Sequence, residues 1–316
     1  MTKIAIVGCG YWGNNLIRNF NKVADIDTVC DIDQGKLDSI KENYPAIKIT
    51  TDFNDILNNP KIKAVVIALP TKFHYEFAKK SLIAGKHILV EKPMTTNSQE
   101  AEELIKIAEK KEKVLMVDHT FLYHSPILKI KEIIDSGELG KIYYYDSQRM
   151  NLGTIRPDIN VVWDLASHDI SILNFLFKDK PTEVSAIGSS HISKQEEVAH
   201  IVIKYQKGIV AHIHLSWLSP IKIRQILIGG SEKMVYFDDI EPSNKVKVYD
   251  NAVQVLAYNP KEALLRVCET FIDCIRNNKK PLTDGYEDLK TIKILEVCDK
   301  SLKEKCRVHI PKTFQQ

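Results

Sequence analysis

The 316-residue sequence contains neither a long hydrophobic run nor a strong charge bias. No apolar stretch approaches the roughly 18 residues that a membrane-spanning helix needs, so an integral membrane protein is not expected. The 44 basic and 41 acidic residues are interspersed, which argues against a nucleic-acid partner. Because "MTKIAIVGCG" enters a strand pattern at once, no signal peptide is expected and the sequence predicts a cytoplasmic protein.

Paired cysteine motifs and Pro/Ser-rich linkers are also missing. The six cysteines lie mainly inside apolar patterns and form no CxxC pair, which predicts buried thiols rather than disulfides or a metal site. Hydrophobic residues make up 44% and charged residues 27% of the chain, an ordinary globular composition. At this length we expect two domains.

Short apolar runs alternate with stretches of helical period over the first 120 residues. The helical stretches are residues 12–22, 34–43, 71–84 and 98–111, and the runs are "KIAIVG", "DTVCDI", "AVVIAL", "HILVE" and "VLMVDH". Unbroken apolar runs suit strands that are covered on both faces, as in parallel sheets. The pattern predicts a doubly wound α/β domain of the Rossmann type over residues 1–120.

The turn after the first run carries a dinucleotide-binding pattern. In "GCGYWG", Gly8, Gly10 and Gly13 satisfy G-x-G-x-x-G between a strand and a helix, as a tight turn with close backbone approach to a pyrophosphate requires. Asp31 ends the second run, where a carboxylate can accept hydrogen bonds from the adenosine ribose. A carboxylate there would repel a 2′-phosphate, and the neighbours Ile32 and Asp33 offer no cation. We therefore predict NAD as the cofactor.

The pattern changes in the second part of the chain. Several strands there alternate apolar and polar residues, as in "GIVAHIHLSW", which indicates a largely antiparallel sheet with two different faces. The sequence thus predicts an α+β domain over residues 121–316 that binds substrate and mediates oligomerisation. His212 and His214 have no further ligand at metal spacing, so we interpret them as polar residues on a sheet face or a subunit contact and expect no metal site.

Two further motifs give the chain its family resemblance. "EKP" follows the fourth apolar run, and "WDLASHD" gives Asp164 and His168 the spacing D-x-x-x-H. Together with "GCGYWG", Asp31 and "ALPTKFHYEFAKKSLIAGKHILVEKP", they resemble the glucose-fructose oxidoreductase, inositol dehydrogenase and rhizopine catabolism family, Gfo/Idh/MocA. The resemblance covers nearly the whole chain and implies an NAD-dependent oxidation of a hydroxyl group.

The resemblance also implies roles for individual residues. Lys92 would lie beside the nicotinamide and the reacting carbinol, while Asp164 and His168 would face the substrate. Such a reaction needs a base for the hydroxyl proton and a cation for the developing alkoxide, which His168 and Lys92 can supply. The residues expected to contact the cofactor are Gly8, Gly10, Tyr11, Trp12, Gly13, Asp31, Leu69, Pro70, Thr71, His74, Glu91 and Lys92.

Within the family, the segment "SQRMNLGTIRPDINVVWDLASHDI" is similar to the branch of UDP-N-acetylglucosamine 3-dehydrogenases. Arg149 and Arg156 lie in the part leading to Asp164 and can bind a diphosphate, with a surface or interface role as the alternative. "VDHTFLYHSP" differs from the N-x-R-like segment of members that act on free polyols. Another sugar or cyclitol substrate, and a non-catalytic dinucleotide-responsive regulator, stay open. A homodimer or homotetramer formed through the C-terminal sheet and a partner aminotransferase are also expected.

Overall fold

The computed structural model describes residues 2–156 and 159–311. Their contacts divide them into two compact units. The first unit contains the chain up to Tyr123 together with Lys261–Leu289, and the second contains His124–Pro260 together with the described residues from Lys290 onwards.

The first unit is built on a parallel sheet in the order β3-β2-β1-β4-β5-β6. The five apolar runs form five of its six strands and are largely buried, because helices cover both sides of a parallel sheet. The third strand along the chain, "KIT", is less buried and is not among the predicted runs. This confirms the prediction of a doubly wound fold. The strands are β1 (Lys3–Val7), β2 (Asp25–Cys30), β3 (Lys48–Thr50), β4 (Ala64–Ile67), β5 (His87–Glu91) and β6 (Leu115–Asp118).

A side-chain N-cap marks where two helices of the first unit begin, at Gln34 and at Ser98. Before the helix that begins at Ser98, for example, the Asn97 side chain accepts a hydrogen bond from the backbone N–H of Glu100 at 2.9 Å, an N-cap contact. The helices are α1 (Tyr11–Phe20), α2 (Gln34–Asn43), α3 (Asn54–Leu57), α4 (His74–Ile83), α5 (Ser98–Lys110), α6 (Ser125–Asp135), α7 (Ser167–Leu176), α8 (Ala263–Asn277) and α9 (Gly285–Glu304). Among the described residues, none of these helices is both long and apolar enough to span a membrane.

The second unit carries a mostly antiparallel sheet in the order β14-β13-β12-β11-β7-β10-β9-β8-β15, in which β7 and β10 form a parallel pair. Alternate residues of β10 are buried, whereas His212 and His214 lie half-buried on the other face, as the alternation predicts. The strands are β7 (Ile142–Leu152), β8 (Pro181–Ser189), β9 (Val198–Tyr205), β10 (Val210–Ser216), β11 (Leu218–Gly230), β12 (Met234–Asp238), β13 (Val246–Tyr249), β14 (Val253–Val255) and β15 (Val308–His309).

Residues 261–289 pack in the first unit, although the sequence prediction assigned them to the second domain. The Phe271 ring of α8 meets Phe20 of α1 edge-on, with ring centroids 6.2 Å apart. Glu262, just before α8, accepts a hydrogen bond from Arg18 of α1 at 2.5 Å. The apolar stripe of an amphipathic helix shows that the helix is packed, but it does not show which core covers it.

Candidate active site

The turn between β1 and α1 has the shape that a dinucleotide pyrophosphate requires. Gly8 has φ +90°, and a Cβ added there would lie 2.4 Å from the Ala68 carbonyl oxygen. A Cβ at Gly13 would lie 2.0 Å from the Gly8 carbonyl oxygen, whereas a Cβ at Gly10 would meet no atom within 4 Å. The first-turn N–H groups of α1 have no side-chain cap and thus suit an anion. The turn therefore fits the cofactor predicted from its sequence.

Asp31, just after β2, is held towards the same turn. Its carboxylate accepts hydrogen bonds from the backbone N–H of Cys9 at 2.8 Å and of Asp33 at 3.0 Å. Burial acts to raise the pKa of Asp31, but these donors lower it overall, so the group is a carboxylate at neutral pH. The neighbouring cation, Lys36, lies 3.7 Å from Asp33.

The segment that carries Lys92 is fixed on both sides by buried groups of the first unit. The two ring nitrogens of His74 lie 2.8 Å from the Pro93 carbonyl oxygen and 2.7 Å from the Leu69 carbonyl oxygen. On the other side, the Asp288 carboxylate accepts a hydrogen bond from the Met94 backbone N–H at 2.9 Å. These contacts set the backbone around Lys92.

His119 completes this arrangement, since its Nε2 lies 2.7 Å from the second oxygen of Asp288. Both side chains are buried. Sequence reasoning missed Asp288, because a carboxylate in the first turn of a helix ordinarily stabilises that helix.

The expected cofactor contacts differ in exposure. Tyr11 and Trp12 lie exposed at the start of α1, with ring centroids 5.6 Å apart. Thr71 and His74 are buried. Burial lowers the pKa of His74 against the opposing effect of its two carbonyl neighbours. Through its two contacts with carbonyl oxygens, His74 fixes the backbone of the Leu69 and Pro93 segments.

Asp164 of the second unit lies in a π-helical turn, Val162–Ala166, which runs directly into α7. Single π turns inside helices often occur at functional sites. One oxygen of the Asp164 carboxylate accepts a hydrogen bond from the Trp217 indole N–H at 3.1 Å, and the other lies 3.6 Å from Nε of Arg156. His168 follows in the first turn of α7. Trp217 is a partner of Asp164 that the sequence did not predict.

The start of the π turn has its own anchor. Asn160 accepts a hydrogen bond from the Trp163 backbone N–H at 3.1 Å, and the Asp299 carboxylate accepts from the Asn160 amide and the Trp163 indole. Asp299 thus ties α9 to the turn that carries Asp164. Burial raises the pKa of Asp299.

Arg149 is the predicted site residue that the structure places differently. Its guanidinium is 3% exposed and forms an ion pair with Asp169, with Nε at 2.8 Å and Nη2 at 3.3 Å from the carboxylate oxygens. Such a buried pair is costly to break, because it leaves a charge without compensation. Arg149 therefore does not fit the predicted contact with a diphosphate. The Arg156 side chain, by contrast, is 44% exposed.

The histidines of β10 stack with a third histidine. The rings of His200 and His214 lie 4.1 Å apart at 15°, and His212 lies 3.5 Å from Asp146. Within residues 2–156 and 159–311, no cluster of histidine, cysteine and carboxylate groups has the arrangement of a metal site.

Two protein-family models match the chain, one in each of its two parts. A family model described as "Oxidoreductase family, NAD-binding Rossmann fold" matches residues 2–119. A second model, described as "GFO/IDH/MocA C-terminal domain", matches residues 127–236.

Three curated relatives have different substrates. A dehydrogenase of 1-carboxy-3-chloro-3,4-dihydroxycyclohexa-1,5-diene from Comamonas testosteroni is 28% identical over 68% of this chain and 57% of its own. An NADP(+)-dependent scyllo-inositol 2-dehydrogenase from Bacillus subtilis is 29% identical over 72% of this chain and 63% of its own. UDP-N-acetylglucosamine 3-dehydrogenase from Acidithiobacillus ferrooxidans is 25% identical over 71% of this chain and 74% of its own. The chain thus matches less than two thirds of the length of the first two.

Solved structures share the fold. The crystallised UDP-N-acetylglucosamine 3-dehydrogenase of Acidithiobacillus ferrooxidans superposes with a TM-score of 0.87 at 21% identity, covering 96% of this chain and 98% of its own. The same architecture thus extends over nearly the whole of both chains.

Proposed function

Since the chain belongs to the Gfo/Idh/MocA oxidoreductase family, with its NAD-binding Rossmann domain, we propose that it oxidises the C3 hydroxyl of a nucleotide sugar such as UDP-N-acetylglucosamine to the 3-keto sugar. The observation that carries this choice of substrate is the similarity to UDP-N-acetylglucosamine 3-dehydrogenase, which extends over 71% of the chain. The exposed Arg156 beside Asp164 supports it, because a diphosphate needs a cation within reach.

The proposed chemistry divides between a small number of side chains. Bound NAD supplies the hydride acceptor. Lys92 donates a hydrogen bond to the carbinol oxygen, and His168 accepts the hydroxyl proton as general base. Asp164, oriented by the Trp217 indole, binds a neighbouring sugar hydroxyl or orients the His168 ring. The anchors at Pro93 and Met94 keep Lys92 in position, which reduces the reorganisation that the reaction needs.

The cofactor contacts of the proposal follow the glycine turn. Gly8, Gly10 and Gly13 form the turn under the pyrophosphate, and Asp31 binds the adenosine ribose. The other proposed contacts are Tyr11, Trp12, Leu69, Pro70, Thr71, His74, Glu91 and Lys92.

Arg156 gives the most specific test of the substrate. If its guanidinium binds the diphosphate, Arg156→Ala should weaken binding of UDP-N-acetylglucosamine by the value of one charge-assisted hydrogen bond, about 1.5–3 kcal/mol. Calorimetry with the NAD-loaded protein measures this loss. NAD affinity should stay unchanged, and Lys207→Ala on an exposed turn of the second unit serves as the matched loss of one positive charge. Unchanged sugar affinity in Arg156→Ala would remove the diphosphate contact from the proposal.

A second candidate is a dehydrogenase of a free sugar or cyclitol, which the relatives acting on cyclic diols and inositol favour. A substrate screen separates the two candidate functions. The protein is mixed with NAD and, in separate reactions, with UDP-N-acetylglucosamine, scyllo-inositol, myo-inositol or glucose, and the absorbance of the reduced nicotinamide is followed. Turnover of an inositol without turnover of the UDP-sugar would favour the second candidate. Binding of NAD without turnover of any of these compounds would favour a regulator.

The proposal extends to the setting of the reaction. A 3-keto sugar is a substrate for an aminotransferase, so we propose one as the next enzyme, with both acting in the cytoplasm. The open face of the second sheet is the proposed contact in a homodimer or homotetramer. Mass photometry of the purified protein measures the assembly state.

A further inference from the structure

Two carboxyl groups meet beneath the Lys92 segment, and neither the sequence nor the comparisons assign them a joint role. Glu91 ends β5 and Asp118 ends β6, and the two residues are direct partners in the parallel register. Adjacent strands lie only about 4.8 Å apart, so partners in register present their side chains side by side. Asp118 is 2% exposed.

If both groups were ionised, two buried carboxylate oxygens of this pair would lack a hydrogen-bond donor in the described part of the chain. Oε1 of Glu91 and Oδ2 of Asp118 are buried, and no donor among the described residues reaches either atom. The other Asp118 oxygen accepts a hydrogen bond from the Thr120 hydroxyl at 2.8 Å. Buried carboxylate oxygens ordinarily have a donor. A single proton shared between Glu91 and Asp118 supplies the missing one.

The distribution of charge decides which group holds the proton. Burial raises the pKa of both groups, and the hydrogen bond from the Thr120 hydroxyl opposes this rise at Asp118, so Glu91 is the acid that donates to Asp118. Burial and the neighbouring Asp118 charge raise the pKa of Glu91 well above its ordinary value. Like charges at a shared site separate their titrations in this way.

The ionisable groups around the pair do not remove the need for the proton. Burial raises the pKa values of Tyr123 and Cys268, which lie near Asp118, so these two groups are neutral near pH 7. The Asp288 carboxylate is already engaged by His119 and the Met94 N–H. Lys92, next to Glu91, stabilises the ionised form.

The position of the pair in the sheet relates it to the cofactor. A dinucleotide spans the carboxyl ends of a sheet in the order 3-2-1-4-5-6, with one mononucleotide over each half. Asp31 lies at the end of β2 and marks the adenosine half. Glu91 and Asp118 lie at the ends of β5 and β6, which belong to the nicotinamide half.

We propose that Glu91 and Asp118 share one proton in the cofactor-free protein and release it when the positively charged nicotinamide of NAD⁺ binds. The pair thereby discriminates the oxidised from the reduced cofactor. The Glu91 carboxyl loses its proton to solvent, and no electrons are transferred. NADH carries a neutral ring and does not displace the proton. NAD⁺ binding therefore strengthens with rising pH while NADH binding does not, which favours alcohol oxidation at higher pH. The inference rests on the dinucleotide site and not on the proposed sugar.

Calorimetric titration of the full-length protein near pH 7, in two buffers with different ionisation enthalpies, counts the protons released. The proposal predicts release approaching one proton per NAD⁺ and none per NADH. The affinity for NAD⁺ should rise by up to about tenfold per pH unit between pH 6 and 8, by proton linkage. In Glu91→Gln both effects should vanish, whereas the exposed Glu42→Gln on α2 should keep them.

Equal proton release with NAD⁺ and NADH, or equal release by wild type and Glu91→Gln, would overturn the proposal. If Glu91→Gln fails to fold by circular dichroism, Asp118→Asn provides the second variant. This change removes the Asp118 carboxylate, whose negative charge keeps the proton on Glu91, so it should also abolish the proton release. Persistent release in Asp118→Asn would count against the shared proton. No sugar is present in these titrations, so a failure of the proposed substrate leaves their outcome unaffected.

Discussion

Replacing single glycines of the "GCGYWG" turn by alanine should separate cofactor binding from stability. At Gly13 the added Cβ would lie 2.0 Å from the Gly8 carbonyl oxygen, a backbone atom that cannot move aside cheaply. At Gly10 the added Cβ would meet no atom within 4 Å, so the protein itself should tolerate it. If the pyrophosphate lies over Gly10, that open space is where the cofactor approaches the backbone.

The expected magnitudes follow from these contacts. Overpacking costs about 1–3 kcal/mol, and a clash with backbone belongs at the upper end of that range. Because Gly13 lies inside α1, the better helix propensity of alanine offsets about 1 kcal/mol of this destabilisation. A net loss of about 2 kcal/mol lowers Tm by about 4–8 °C in a domain of 150–250 residues. Gly10→Ala exchanges one cap residue for a poorer one and should cost less than about 1 kcal/mol.

Differential scanning fluorimetry without cofactor, and calorimetry with NAD, measure the two effects. Gly10→Ala should bind NAD at least about tenfold more weakly with little change in Tm. Gly13→Ala should lose both stability and affinity. Gly35→Ala on α2 is the control, since its Cβ would meet only the Asp33 side chain at 3.3 Å. Wild-type NAD affinity in Gly10→Ala would refute the placement of the pyrophosphate over this turn.

Three further predictions concern single side chains. Because the Asp31 carboxylate repels a 2′-phosphate, NAD should bind more tightly than NADP by calorimetry, and equal or tighter NADP binding would contradict its role. Lys92→Ala and His168→Ala should each lower turnover by about 10²–10⁴-fold with NAD affinity near normal, and more than about half of wild-type turnover in either variant would exclude a catalytic role. Burial acts to raise the pKa of Glu197, but hydrogen bonds from Ser193 and the backbone N–H groups of residues 191–193 lower the pKa to about 2. The ionised Glu197 therefore stabilises the fold fully above about pH 4.3, and this stabilisation is lost as pH falls towards 2. Urea unfolding at pH 5 and pH 3 should therefore show a smaller loss of stability in Glu197→Gln than in wild type, and an equal loss would contradict this role.

The features that the sequence predicted correctly depend on local chemistry. Unbroken apolar runs belong to strands covered on both faces, and "GCGYWG" needs small residues because a Cβ at Gly8 or Gly13 would strike backbone. Asp31 directly follows the second strand, as its sequence pattern indicates, while its contact with the adenosine ribose stays a prediction. In each case the reason lies within a few residues of the motif.

The features that the sequence did not predict depend on distant partners. Asp288 reaches the Met94 backbone across 194 positions of the chain, and residues 261–289 return to the first unit. The bond from Trp217 to Asp164 and the ion pair of Arg149 with Asp169 likewise join separate elements. An arginine in a polar strand segment resembles a substrate contact until its buried partner is known.

The transfer of label from the C3 position of the sugar tests the central proposal most directly. The protein is incubated with NAD and UDP-N-acetylglucosamine that carries deuterium at C3, and the reduced cofactor is examined by mass spectrometry. The account predicts one deuterium per reduced cofactor from the C3-labelled sugar and none from sugar labelled at C4. Reduced cofactor without deuterium from C3 would contradict it. So would NAD that is reduced when an inositol is added but stays oxidised with the UDP-sugar.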